Sequence, residues 1–453
     1  MIVCNFADAS MEIPLDVDSV VQRLETAFAS GSPRAGRILL YFTPLTLLVF
    51  LVLPNGYLID IATSFMLKNR LHATPEQVAH FRIVTAIPVY FSFAFGLARD
   101  LWNPFGMRDR GLLVIFGTTT CVLFLGMMAV PLTYDALLVS ILLVMFSFSF
   151  VAAAARGLLA LISQEQLMSG RLSALWNAVS SVPYAVGAFG SGYLAELLSP
   201  DQTFLLVAGL SGLIALLGLW RPRDVFNHAY DQPLARGAGF FGDVRRLVRH
   251  RACYPAVLLV CLCQFSPGSN TPLQFYLSDE LHLSDAVYAD FQGIFITAYI
   301  PACMLYGYLC KRLSLRTLLW LATVAYLPSQ LPLLYIHSTA TALWLALPMG
   351  LVGGFAFATY WDLALRSCPP GLQGTLMMLV AGGYELAYRG GDVVGASIYG
   401  STSTHGFLSC VILGTATSAL MFPVLRLIPR DLIATADGER NPSVEADALS
   451  EFT

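Results

Sequence analysis

The chain has 453 residues, 56% of them apolar and only 12% charged, where a typical soluble domain carries about 25% charged residues. A formal net charge of −3 says little about partners in a chain so apolar, where the distribution of charge among loops matters more than the sum, and nothing in the sequence reads as nucleic-acid binding. The nine cysteines are scattered with no Cys-x-x-Cys pair, and Cys121, Cys261, Cys303 and Cys410 lie inside apolar runs, so neither a disulfide frame nor a metal site is expected.

Residues 1–37 are polar and of mixed charge, without the basic start and apolar core of a cleaved signal peptide. Val20, Val21, Leu24 and Phe28 recur near helical spacing, which fits either a short helix lying on the membrane or a loosely held arm. A bilayer crossing takes roughly 20 apolar residues. Twelve such spans are expected, over 39–66, 81–99, 111–132, 135–160, 172–196, 203–220, 253–277, 288–310, 315–336, 341–364, 372–400 and 404–427. The expected fold is therefore an all-α membrane protein with two six-helix halves, 38–220 and 253–428. They are joined by a linker, 221–252, and followed by a disordered acidic tail, 429–453.

Two spans carry breaks. Span 1 is interrupted by Pro54-Asn55-Gly56 and span 7 by Pro267-Gly268-x-Asn270, and interrupted membrane helices mark solute pathways. Span 2 starts at Thr74-Pro75-Glu76-Gln77, a helix-capping sequence. The linker holds seven arginines, and Phe240–Leu247 suits a basic amphipathic helix at the inner surface, with a solvated tether as the alternative. Of the 26 basic residues, 22 fall on one set of alternate loops, the exceptions being Lys68, Arg70, Arg82 and Arg389. Basic loops stay in the cytoplasm, so both termini are placed inside a plasma (inner) membrane. The halves repeat: Gly170-x-Leu172-x-x-Leu175 recurs as Gly374-x-Leu376-x-x-Leu379 at an offset of 204, which also pairs Tyr184 with Tyr388. Gly96 and its basic loop have an echo in Gly307, Lys311, Arg312 and Arg316.

A charge at mid-membrane costs roughly 2.5–3.5 kcal/mol on insertion scales, so each one needs a partner or a wet cavity. Glu385, Arg389 and Asp392 follow at intervals of four and three on one helical face. They form either a self-neutralising network or a proton- or solute-coupled site. Asp60 could couple or gate across the outer mouth with Arg82 or Arg389, or be a water-exposed helix-end acid. Arg156 either snorkels to the interface or contacts an anion. Asp362 and Arg366 read as a local ion pair. Gln264, Asn270 and Gln274 surround the span 7 break, and Asn177 lies in span 5; such groups recognise polar solutes or serve helix packing.

Gly96, Asp100, Gly106, Arg108 and Arg110 resemble the loop 2–3 signature of the major facilitator superfamily. Within it, the chain is similar to the folate-biopterin transporter family. The shared features are Leu67–Leu71 (with Asn69 in place of the acid), the spacing of Pro88, Gly96 and Asp100, and the run Cys368-Pro369-Pro370-Gly371-Leu372-Gln373-Gly374-Thr375. The resemblance implies a conformational switch in which loop 2–3 holds the halves in one state through an acid–arginine–helix-end contact. The function expected is secondary active transport of a small organic solute, anionic or pterin/folate-like, by alternating access coupled to a proton or other ion. The solute, the coupling ion and the lipid bilayer are then the partners, and no cofactor is expected. A transporter-fold receptor or assembly factor without transport is the alternative; no catalytic constellation supports an enzyme.

Overall fold

The computed structural model describes residues 33–54, 56–223, 225–226, 240–401 and 405–439. Asn55 and the amphipathic segment around Val20–Phe28 lie outside these residues. Every regular element among the described residues is helical, and seven helices are long and apolar enough to cross a membrane, from Arg34–Leu51 to Gly406–Leu425.

The first crossing is broken where its sequence demands it. Helix α1 (Pro33–Leu51) stops before Pro54, and α2 (Tyr57–Phe65) restarts after Gly56. After the π-helical turn Met66–Arg70 comes α3 (Pro75–Thr85), whose Thr74 cap is reciprocal. The Thr74 hydroxyl accepts from Gln77 N–H at 3.3 Å, and the Gln77 side chain accepts from Thr74 N–H at 2.9 Å. Helices α4 (Ile87–Tyr90) and α5 (Ser92–Leu101) continue it past a kink at Pro88. Then come α6 (Asp109–Met127), α7 (Tyr134–Glu165), α8 (Ser169–Leu197) and α9 (Pro200–Leu219).

The arginine-rich linker contains α10 (Phe240–Arg249). Helix α11 (Cys253–Gln264) ends before Pro267-Gly268, and α12 (Thr271–Phe275) resumes beyond. They are followed by α13 (Asp285–Leu309), α14 (Leu315–Tyr326), α15 (Thr339–Arg366), α16 (Gln373–Ser401), α17 (Gly406–Ala419), α18 (Met421–Leu425) and α19 (Arg430–Ile433).

The turn after α2 recurs after α12. Leu71 N–H reaches Met66 O at 2.9 Å and Leu281 N–H reaches Tyr276 O at 3.1 Å; His72 and His282 follow in left-handed conformation, at φ 49° and 52°.

Helix α5 packs on α16, and α8 on α13, forming two seams between the chain before residue 220 and the chain after 253. Small residues allow the approach. A Cβ on Gly96 would fall 2.8 Å from the Thr375 Cα, and one on Gly307 would fall 3.0 Å from the Ala174 Cβ. The perimeter carries bare apolar side chains, such as Leu40, Leu216 and Trp344 (76% exposed), which suit lipid rather than water.

One boundary is corrected. Residues 430–439, read from sequence as part of a disordered tail, are folded: Ile433, Ala436 and Asp437 are buried. Apolar content is low there: Ile433 joins the core with Leu432 packed against it, and the rest of the segment is held by bonding to other helices. We call the end of the bundle on which it lies the tail face.

Candidate functional site

At the tail face, Asp100 closes the α5–α16 seam. Its Oδ1 accepts from Gly374 N–H at 3.1 Å, and its Oδ2 accepts from the Thr375 N–H at 2.7 Å and hydroxyl at 2.6 Å. A carboxylate thus sits on free amides in the first turn of α16, where the helix dipole favours it. The arginine that orients Asp100 is Arg99. Its Nη1 donates to Asp100 at 2.6 Å, while its Nε and Nη2 grip Asp109 at 2.5 and 2.6 Å. All three residues are buried, and Gly157 leaves the room on α7 that the Arg99 guanidinium fills.

An acid–arginine–helix-end contact is therefore present beside loop 2–3, with the expected Asp100 as its acid and Arg99, rather than Arg108 or Arg110, as its arginine. Arg110 points elsewhere, donating to Gly218 O at 3.0 Å and Leu219 O at 2.8 Å, where it caps α9. Arg108 N–H donates to the Asn103 side chain at 2.7 Å. The hairpin that returns Asp109 to Arg99 needs three positive-φ residues, Phe105, Gly106 and Arg108, and only Gly106 adopts that conformation without strain. Gln164 adds a second tie across the bundle: its amide donates to Leu365 O at 3.0 Å and Cys368 O at 2.8 Å.

One turn further along α16 the chemistry is different. Arg156 on α7 makes no ion pair within 4.0 Å among the described residues, and its Nε is buried without a hydrogen-bond partner. Its guanidinium lies over the Trp176 ring at 5.7 Å and has the Met378 sulfur at 3.9 Å. Tyr184, Tyr384 and Glu385 lie within its electrostatic range. Phe50 packs edge-on against Trp176 and Tyr184, and Tyr384 stacks parallel to Tyr388. The result is an aromatic cluster with one cation from the first part of the chain and a Glu385–Arg389 pair, 3.7 Å apart, from the second.

The other sequence candidates separate. Asp392 leaves the expected cluster and caps α12, accepting from Thr271 N–H at 2.9 Å and from its hydroxyl at 3.0 Å. Asn270, at the break, accepts from the Tyr388 hydroxyl at 3.2 Å. Asn177 is buried and donates to Ser173 O of its own helix at 2.8 Å. Gln264 is half-buried and Gln274 exposed. Asp60 pairs with Arg82 at 3.5 Å, both about half exposed. Asp362 and Arg366 form the expected pair at 3.0 Å, and Asp362 also accepts from the buried Tyr306 hydroxyl at 2.6 Å.

Sequence reading passed over Arg99, Asp109 and Gln164. The adjacent Arg99-Asp100 at a span end, followed by Asp109, was the available signal.

A polytopic helical bundle with broken crossings, tied across one end by buried carboxylate–amide contacts, has the build of a membrane carrier. Residues 45–388 match the profile of the Major Facilitator Superfamily, and the chain belongs to that family. It is 26% identical over 372 residues to the sugar efflux transporter B of Salmonella typhimurium (strain LT2), covering 79% of this chain and 88% of that one. It is 24% identical over 416 residues to the folate-biopterin transporter of Synechocystis sp. (strain PCC 6803), covering 86% and 82% respectively. Its fold is similar to the crystal structure of a bacterial homologue of the iron transporter ferroportin in an outward-facing state. There the TM-score is 0.62 at 17% identity, over 85% of this chain and 98% of that one.

Proposed function

We propose that the protein is a proton-coupled secondary transporter of a small organic anion with an aromatic or heteroaromatic body, the pterin/folate-like class included. It works by alternating access of two six-helix halves built from twelve spans. The observation that carries the reading is Arg156: a half-buried arginine whose buried Nε has no hydrogen-bond partner, with its guanidinium over the Trp176 ring and Tyr184 and Tyr384 within electrostatic range. A desolvated cation needs a counter-charge, and a solute carboxylate meets that need while its ring packs on the aromatic wall. The Glu385–Arg389 pair is the coupling candidate. Protonation of Glu385 would free Arg389 and change the charge of the proposed solute chamber around Arg156 by one unit. Asp60 with Arg82 is the second candidate, at the opposite mouth.

The basic tail face is the cytoplasmic one in this reading, so the state described is closed inside. Cysteine introduced at Arg251 should resist an impermeant thiol reagent added outside intact cells.

The test is transport by purified protein in proteoliposomes, using labelled pterins, folates and simple aromatic carboxylates. An imposed pH gradient should drive accumulation by the wild type. Glu385→Gln should lose accumulation yet keep counterflow exchange, which needs binding and rocking but no net proton movement. Uptake no faster than in protein-free vesicles for every anion would overturn the substrate class. Parallel loss of exchange and accumulation in Glu385→Gln would remove its coupling role.

A further inference from the structure

The two seams of the tail face are related by the repeat, yet their acids come from different places. On one seam Asp100, four residues after Gly96, sits on the first amides of α16. The 211-residue offset that places Gly96 on Gly307 places Asp100 on Lys311, so a cation stands where the second repeat would need its acid. The amides opposite, at the start of α8, are nevertheless satisfied. Gly170 N–H donates at 2.8 Å to the Oδ1 of Asp437, and Arg171 Nε donates to its Oδ2 at 2.5 Å.

Asp437 follows the last crossing, and its carboxylate has no solvent exposure. Its own backbone is tied to the later part of the chain. Asp437 N–H donates to Cys310 O at the end of α13 at 2.9 Å. Thr435 O accepts from Arg366 at 3.0 Å and from Leu315 N–H at 3.4 Å. Arg366 in turn donates to the Ser169 hydroxyl at 2.9 Å. The tail is therefore anchored on α13, α14 and α15 and reaches across the seam to α8.

We propose that residues 430–439 are a latch for the tail-face gate, in which Asp437 supplies the acid that the second repeat lacks. Any motion that parts α8 from α13 at this end must pull Gly170 and Arg171 off Asp437. The latch holds the gate shut as Asp100 does on the other seam, and because it rides on a terminal segment it can be released without disturbing a membrane helix. The inference rests on the two halves rocking, and its test reads conformation rather than transport.

Spin labels at Phe105→Cys and Arg316→Cys, exposed positions at this end on opposite parts of the chain, report the separation by double electron–electron resonance in an otherwise cysteine-free protein. Asp437→Ala should raise the open-to-closed ratio by on the order of tenfold. Asp437→Asn, which keeps one acceptor oxygen for Gly170, should give a smaller rise and guards against misfolding of the alanine variant. Lys311→Asp added to Asp437→Ala should restore the closed distance by returning the acid to its place in the repeat. An unchanged distribution in both Asp437 variants, while Asp100→Ala shifts it, refutes the latch and leaves rocking intact. No shift in any of the three would overturn rocking and the latch together.

Discussion

The two ends of one guanidinium chemistry are displayed in this molecule. At the tail face Arg99 spends its donors on two carboxylates, each within 2.6 Å, and both acids are themselves buried. One turn of α16 separates Thr375, on Asp100, from Met378, beside Arg156, and Arg156 has a thioether, an indole face and a buried nitrogen with nothing to donate to. A buried ion pair without solvent is held by geometry, and breaking it strands a charge. A half-buried cation left without an acid is a cost the fold tolerates, and such costs gather at functional sites. On the proposed function the first layer holds a shape and the second receives the solute.

Four substitutions sharpen or break that contrast, and the strongest strikes the sealed layer. Asp109→Ala leaves the Arg99 guanidinium with one acid instead of two and should destabilise by on the order of 3–5 kcal/mol, read as thermal unfolding in detergent. A melting shift no larger than that of Asp60→Asn would show that the buried triad is not what holds this end together. Gly96→Val comes next, at roughly 1–3 kcal/mol of overpacking, because its new carbons meet the α16 backbone. Its signature should be a widened tail face in the spin-label distance rather than general unfolding.

The chamber should respond with the opposite sign. Arg156→Met removes a desolvated charge of similar length and should raise the melting temperature, by about 1 kcal/mol in free energy, while abolishing binding of an aromatic carboxylate. Equal binding by the methionine variant, in isothermal titration, would return Arg156 to a packing role. Smallest of all is Asp60→Asn. Its pair with Arg82 is half exposed on both sides, so stability should change by no more than about 1 kcal/mol. A ratio of accumulation to exchange equal to that of wild type would leave Asp60 as a water-exposed helix-end acid.

How much of this was legible in the sequence depends on the range of the interaction. Local chemistry could be read directly: Pro54 and Pro267 break their helices, Thr74 and Gln77 cap α3, and the arginine-rich linker forms α10. The seam glycines were legible because close backbone approach leaves a mark in residue type. Partner choice was not. Spacing places Glu385, Arg389 and Asp392 on one face, but Asp392 is claimed by the amide and hydroxyl of Thr271, which no helical periodicity could reveal. Arg108 and Arg110 matched a loop pattern, whereas a hairpin with three positive-φ residues hands the acid Asp109 to Arg99 instead. Asp437 was invisible for a third reason: its segment lacks the apolar content that signals order, and its fold is imposed by four other helices.

That arrangement has a consequence for how the protein is made. Synthesis runs from the amino end at about 5–20 residues per second, so the 337 residues between Asp100 and Asp437 take roughly 20 to 70 s. The α5–α16 seam can close as soon as Gly374 and Thr375 have emerged. Its counterpart at α8 waits through α17, α18 and α19 with the Gly170 amide and Arg171 unsatisfied. A nascent carrier would thus pass through an interval with one hinge fastened and the other free.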